Sequence, residues 1–131
     1  MKKLLIILLL LTLAPSALAI STSENFDYES IKGYAGGHYG EVYTIVGTLI
    51  YSEEYHRSSD DKKVEEYAKI AVDGLDSQIV CVHYIRDKNL FPFDAGIQVA
   101  VLAYVDGVQR VGKVIVPLME ANSRPLALNE E

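Results

Sequence analysis

The chain is short of the covalent and cationic resources on which many small domains depend. It has one cysteine, Cys81, in 131 residues. One thiol excludes an internal disulfide, so the domain has to stand on a buried core. Cys81 lies in the apolar run Ile79–Tyr84, where a thiol is expected to pack as a small hydrophobe. Basic residues are scarce, 12 Lys and Arg against 18 Asp and Glu. Affinity for phosphate backbones leans on cations that displace counterions, so the charge balance argues against nucleic acid as a partner. The three histidines, His38, His56 and His83, lack paired-ligand spacing, and neither a metal nor a cofactor is expected. Glu53, Glu54, Asp60 and Asp61 lack the alternating ligands and turn glycine of a calcium loop. Gly33, Gly36, Gly37 and Gly40 follow no strand and precede no Gly-Lys-Ser/Thr, which excludes a phosphate-cradling loop.

Long hydrophobic runs are also missing, with one informative near-case. Met1-Lys2-Lys3 is a positive start, and Leu4–Ala14 is apolar apart from Thr12. Pro15 breaks the run, and Ala17-Leu18-Ala19 has the small-residue spacing of a cleavage site. The run falls short of the ~20 apolar residues that span a bilayer. It reads as a signal peptide over 1–19, cleaved after Ala19, which leaves no stable membrane span. No cysteine follows it to carry a lipid. The expected setting is secreted or periplasmic. The mature chain Ile20–Glu131 would hold ten basic against eighteen acidic residues, a formal charge of −8, and is long enough for one small domain.

What is present is β pattern. Residues 20–41 read as an N-terminal arm or short helix. Ser21 and Glu24 have capping-box spacing, and Phe26, Tyr28 and Ile31 offer an apolar side. Val42–Ser52 is rich in Val, Ile, Thr and Tyr and reads as a strand. Gly47 inside it marks a bend that lets one strand serve two sides of a barrel. Glu53–Lys63 reads as a solvated loop. Val64–Val72 opens as a helical turn or a strand and alternates as a strand from Tyr67. Asp73-Gly74-Leu75-Asp76 is turn chemistry leading into Gln78–Ile85. That strand is apolar on both parities, which leaves its inward face undecided. Arg86–Gly96 carries Leu90, Phe91, Pro92 and Phe93, and is expected to plug one barrel end. Ile97–Val105 is the fourth strand, with a turn at Asp106-Gly107 and an extension over Val108–Val111. Lys113–Met119 is the last, with Pro117 at an edge or strand end. The expected fold is all-β: a five-stranded OB-type Greek-key barrel over 42–122, with a short connector between strands 3 and 4 and a loose C-terminal tail over 123–131. A sandwich usually needs seven or more strands.

Val46-Gly47-Thr48 in a bent first strand, Lys69-Ile70-Ala71-Val72, Ile79-Val80-Cys81-Val82, Ala95–Val101 and Lys113-Val114-Ile115-Val116 come in an order that resembles the anticodon-binding-like OB-fold proteins. The plan is also similar to the periplasmic bacterial OB-fold family. The resemblance covers about Val42–Asn122 and is a pattern of strands and glycines. It implies a binding module without known catalysis and supplies no catalytic residue. OB folds usually bind on strands two and three and the adjoining loops, here parts of Tyr51–Lys69 and Ile79–Ile85 with Asp106–Arg110 at the rim.

Tyr51, Tyr55, Tyr67, Lys69 and Arg110 are therefore the candidate ligand-binding residues, and no residue is assigned to catalysis or to a metal. The expected function is an extracytoplasmic OB-fold module for an unknown protein, peptide or small cationic ligand. Two alternatives stay open. Cys81 and His83 share a strand parity and would suit a thiol-dependent enzyme. The tyrosines would suit a single-stranded nucleic-acid binder that stacks bases.

Overall fold

The computed structural model describes residues 20–57, 60–72, 78–90 and 93–128. The expected signal peptide over 1–19, its expected cleavage site after Ala19, and the expected turn at Asp73–Asp76 lie outside the described residues. Among the described residues the chain runs through a helix α1 (Tyr28–Gly33) and a 3-10 turn (Ala35–His38) into six strands. These are β1 (Val42–Arg57), β2 (Asp60–Val72), β3 (Ile79–Asp87), β4 (Gln98–Val111), β5 (Val114–Ala121) and β6 (Leu126–Ala127). The sheet order is β1-β2-β3-β5-β4, and β1 also pairs with β4, which closes five strands into a ring. All contacts in the ring are antiparallel except β3–β5, a parallel seam of three residue pairs from Cys81↔Leu118 to His83↔Glu120.

Closure depends on β1 being paired on both sides. Val42–Thr48 lie against β4, and the strand from Gly47 onward lies against β2. Gly47 belongs to both ladders, opposite Val72 and Val99. A Cβ built on Gly47 would sit 2.0 Å from the Ala71 carbonyl oxygen, so only glycine lets β2 come this close. On the other side of β1, before β2 begins, the chain's own arm takes over. Ser23 donates its N–H to the Thr44 carbonyl and accepts from the Thr44 N–H through Oγ. Thr22 Oγ1 bonds both the N–H and the carbonyl of Val46. An edge that would otherwise be open is satisfied this way.

The core lies inside the ring. Ile45, Leu49, Ala68, Ile70, Val72, Val80, Val82, Tyr84, Val99, Val101, Ala103, Val105 and Met119 belong to one buried cluster. This settles the parity of β3: Val80, Val82 and Tyr84 face in, and Cys81, His83 and Ile85 face out. Helix α1 closes the ring at the end where β1 begins and β2 finishes. Its N-cap is Asp27, whose carboxylate accepts from Ser30 N–H at 3.1 Å, rather than Ser21. Tyr28 and Ile31, three apart, turn one face into the core, and the Tyr28 hydroxyl donates to the Ile79 carbonyl. Each such burial is worth about 1.5–3 kcal/mol. The segment read as an arm is thus a plug. In the connector after β3, Phe93 packs against the core and Leu90 is exposed, while Phe91 and Pro92 lie outside the described residues.

The solvated loop expected at Glu53–Lys63 is instead mostly strand. β1 and β2 stay paired through Tyr55↔Glu65 and His56↔Val64 to Arg57↔Asp60. Polar sequence misleads here because the inward positions of this extension are themselves polar and satisfy one another. Glu66 is buried and accepts from Tyr84 hydroxyl (2.7 Å), Ser52 hydroxyl (3.1 Å) and Arg86 Nε (3.1 Å). Arg86 also reaches Glu54 and the Leu90 carbonyl. Burial, and then the bond to Glu66, push the Tyr84 phenol up. Asp106-Gly107 is not a turn either. Val105 pairs with Met119 and Gly107 with Leu118, so Asp106 is the extra residue of a bulge and β4 continues. The hairpin turns at Gly112-Lys113, with Gly112 at φ 63° and Val111 opposite Val114. The C-terminal segment is also tied down, since Leu126 and Ala127 pair with Ala100 and Val99.

Two outcomes test these constraints. Gly47→Ala should lower the unfolding free energy in urea by about 3 kcal/mol, the upper range for overpacking, because strand backbone lies in the way of the new methyl. Arg86→Met leaves buried Glu66 without its cation and should cost about 3–5 kcal/mol. Adding Glu66→Gln should recover part of that loss in the same denaturation experiment.

Candidate functional site

The outward faces of β1, β2, β3 and β5 align side chains in rows. One row is Tyr51, Lys69, Cys81 and Leu118; the next is Glu53, Tyr67, His83 and Glu120; the third is Tyr55, Glu65 and Ile85. A register shift between Leu49 and Tyr51 sets the β1 contribution. Leu49 faces in, and after the shift Tyr51, Glu53 and Tyr55 face out, opposite the outward residues of β2.

Four of the five expected residues meet here. Tyr55 and Tyr67 pack edge to face with centroids 5.6 Å apart, and Tyr67 tilts over the His83 ring at 4.6 Å. The Lys69 ammonium lies over the Tyr51 ring at 5.2 Å and the Tyr67 ring at 5.8 Å, and bonds Glu53 Oε1 at 2.8 Å. Lys69 is only 2% exposed. Its role is to hold the two rings and Glu53 in place from below, with cation–π contacts of roughly 0.5–2 kcal/mol each. The groups left for a ligand are the exposed rings of Tyr51 and Tyr55. Arg110 is not part of this group. It sits opposite Ile115 on the β4–β5 hairpin, whereas β5 meets β3 only from Leu118.

The residue that composition and spacing passed over is Glu120. His83 Nδ1 lies 2.7 Å from Glu120 Oε1, and Nε2 lies 2.9 Å from Glu65 Oε1. A carboxylate only accepts, so both bonds together require the doubly protonated ring. His83 thereby joins β2, β3 and β5 at the three-pair parallel seam. Counting back from the turn expected at Asp73–Asp76 could have placed Tyr67 opposite His83 and Glu65 two residues further along the same face. No local signal could have placed Glu120 there, because the β3–β5 contact joins segments 37 residues apart.

Cys81 sits in the first row yet is fully buried, and burial pushes its thiol up to about 11. A thiolate nucleophile needs the opposite environment, and both nitrogens of His83 are already held by carboxylates. Among the described residues no helix is long and apolar enough to cross a membrane, and no group of three or more His, Cys, Asp or Glu is arranged to hold a metal ion. Comparison with protein-family models, with curated proteins and with solved structures returned no match.

The thiol gives a direct check. Cys81 should resist alkylation by iodoacetamide in the folded protein and react at the unstructured-peptide rate in denaturant. Its neutral form is favoured by folding, as is that of the Tyr43 phenol, which burial and then a bond from its hydroxyl to Glu41 push up to about 12. Both ordinary values, 9.0 and 10.0, lie below the folded ones. The unfolded chain therefore loses protons first, and stability falls as pH rises. The thermal midpoint should drop progressively above about pH 9, and Cys81→Ala should flatten the part of that fall between about pH 9 and 11.

Proposed function

We propose that this chain is an OB-type binding module that works outside the cytoplasm and takes a protein, peptide or small cationic ligand on the outward face of β1, β2 and β3. The observation that carries the reading is the exposed pair Tyr51 and Tyr55, set beside Glu53, Glu65 and Glu120 on neighbouring strands. Aromatic faces next to carboxylates attract cations, and the strand ladder holds them without further ordering cost. The OB assignment is supported by the ring order, its closure through β1, and the parallel β3–β5 seam. The export assignment rests on the leader pattern of residues 1–19. The acidic balance opposes the nucleic-acid alternative, and the burial of Cys81 opposes the thiol alternative.

Calorimetric titration of the 20–131 chain with an oligo-arginine peptide tests the reading. The double variant Tyr51→Ala/Tyr55→Ala should bind about tenfold more weakly, as the loss of two exposed cation–π contacts predicts, with its thermal midpoint recorded as a folding control. No binding by the wild type, or equal binding by a folded variant, overturns the proposal. Tighter, salt-sensitive binding of single-stranded DNA by the wild type also overturns it, in favour of base stacking.

A further inference from the structure

A second chemical group lies off this face, on the segment that plugs the ring. Ser30 is on the exposed side of α1, His38 ends the 3-10 turn, and Glu41 stands just before β1. Ser30 Oγ is 2.8 Å from His38 Nε2, and His38 Nδ1 is 2.7 Å from Glu41 Oε1. The local chain brings them together. Gly40 adopts φ 85°, a left-handed turn, and Glu41 N–H bonds the His38 carbonyl at 3.0 Å, so Glu41 folds back under the imidazole. The Tyr43 hydroxyl donates to the same Glu41 oxygen and holds the carboxylate.

The proton positions follow from the donors available. The Glu41 carboxylate only accepts, so His38 Nδ1 carries the proton. In the neutral ring Nε2 is then the acceptor, and it faces the Ser30 hydroxyl. This is a hydroxyl, a base and a group that orients the base, each within hydrogen-bond reach of the next. An open depression of about 430 Å³, lined by Phe26 and Tyr28 and by Glu24, Asp27 and Glu29, lies at the start of the same helix, and Ser30, His38 and Glu41 are not among its lining residues. Asp27 also caps the Ser30 N–H, so the depression and the hydroxyl share one turn of helix.

We infer that Ser30 is a nucleophile, with His38 as its general base and Glu41 as the positioning residue, and that the site hydrolyses small acyl esters. Ser30 Oγ attacks the ester carbonyl carbon while its proton passes to His38 Nε2. The bond to the alkoxide leaving group breaks, and His38 returns the proton to release an alcohol. Water then attacks the acyl-Ser30 ester, giving its proton to Nε2. The bond from the acyl carbon to Ser30 Oγ then breaks, His38 Nε2 gives the proton to Oγ, and the carboxylic acid leaves with Ser30 and neutral His38 restored. The inference is independent of ligand binding on the strand face.

The test uses a fluorophosphonate probe on the folded 20–131 chain, with the adduct mapped by mass spectrometry, and p-nitrophenyl acetate for turnover. The expected result is one adduct, on Ser30, with ester turnover that Ser30→Ala abolishes. His38→Gln should slow labelling by about a hundredfold, as loss of a general base predicts, while its thermal midpoint confirms folding. A purely structural hydrogen-bond chain would change the midpoint and leave Ser30 unlabelled. No adduct on Ser30 of the wild type overturns the inference whether or not the variant folds, and so does undiminished labelling of a folded His38→Gln protein.

Discussion

Everything in this fold depends on one strand being paired on both sides. β1 joins β4 through its first half and β2 through its second, and Gly47 stands in both ladders. Without that double engagement the sheet has two free edges and no enclosed interior. The absence of a side chain at Gly47 lets the β2 backbone come close, and the register shift that follows turns Tyr51, Glu53 and Tyr55 outward. Closure of the core and construction of the outward face are consequences of the same few residues. The weakest part of the ring is the opposite seam, three parallel pairs long, and there His83 ties together carboxylates from β2 and β5.

The interior of the ring is divided by chemistry. Aliphatic side chains fill most of it, as binary alternation requires. Toward the β1–β2 hairpin the inward positions become Ser52, Glu54, Glu66 and Arg86, and these satisfy one another. A buried polar network of this kind is tolerated only when fully paired. The outward face shows the reverse economy. Lys69 and Cys81 point away from the core yet are covered, and the exposed surface is left to tyrosine rings and carboxylates. The rings on this face are held by cation–π and edge-to-face contacts.

The N-terminal segment does three jobs that its loose composition conceals. Thr22 and Ser23 complete the β1 edge, Tyr28 and Ile31 close one end of the core, and Ser30, His38 and Glu41 form a hydrogen-bonded relay on its surface. The relay was invisible in the linear chain because its members are separated by irregular structure. Only the left-handed Gly40 and the 3-10 turn bring them within reach of one another.

By itself the sequence determined that the chain is mostly β, the place of Gly47 within β1, the antiparallel pairing of β2 with β3, and the clustering of Tyr51, Tyr55, Tyr67 and Lys69. These follow from local alternation and from short-range pairing, which the order of residues encodes directly. It misread the polar β1–β2 extension as a loop, because side-chain polarity says nothing about whether the backbone finds ladder partners. It misread Asp106-Gly107 as a turn, because a bulge and a turn use the same residues. It could not decide the inward face of β3, the exclusion of Arg110 from the tyrosine group, or the meeting of His83 with Glu120. Those were decided by the closure of the ring and by the parallel β3–β5 register, contacts between distant segments whose free energy depends on the whole sheet being in place.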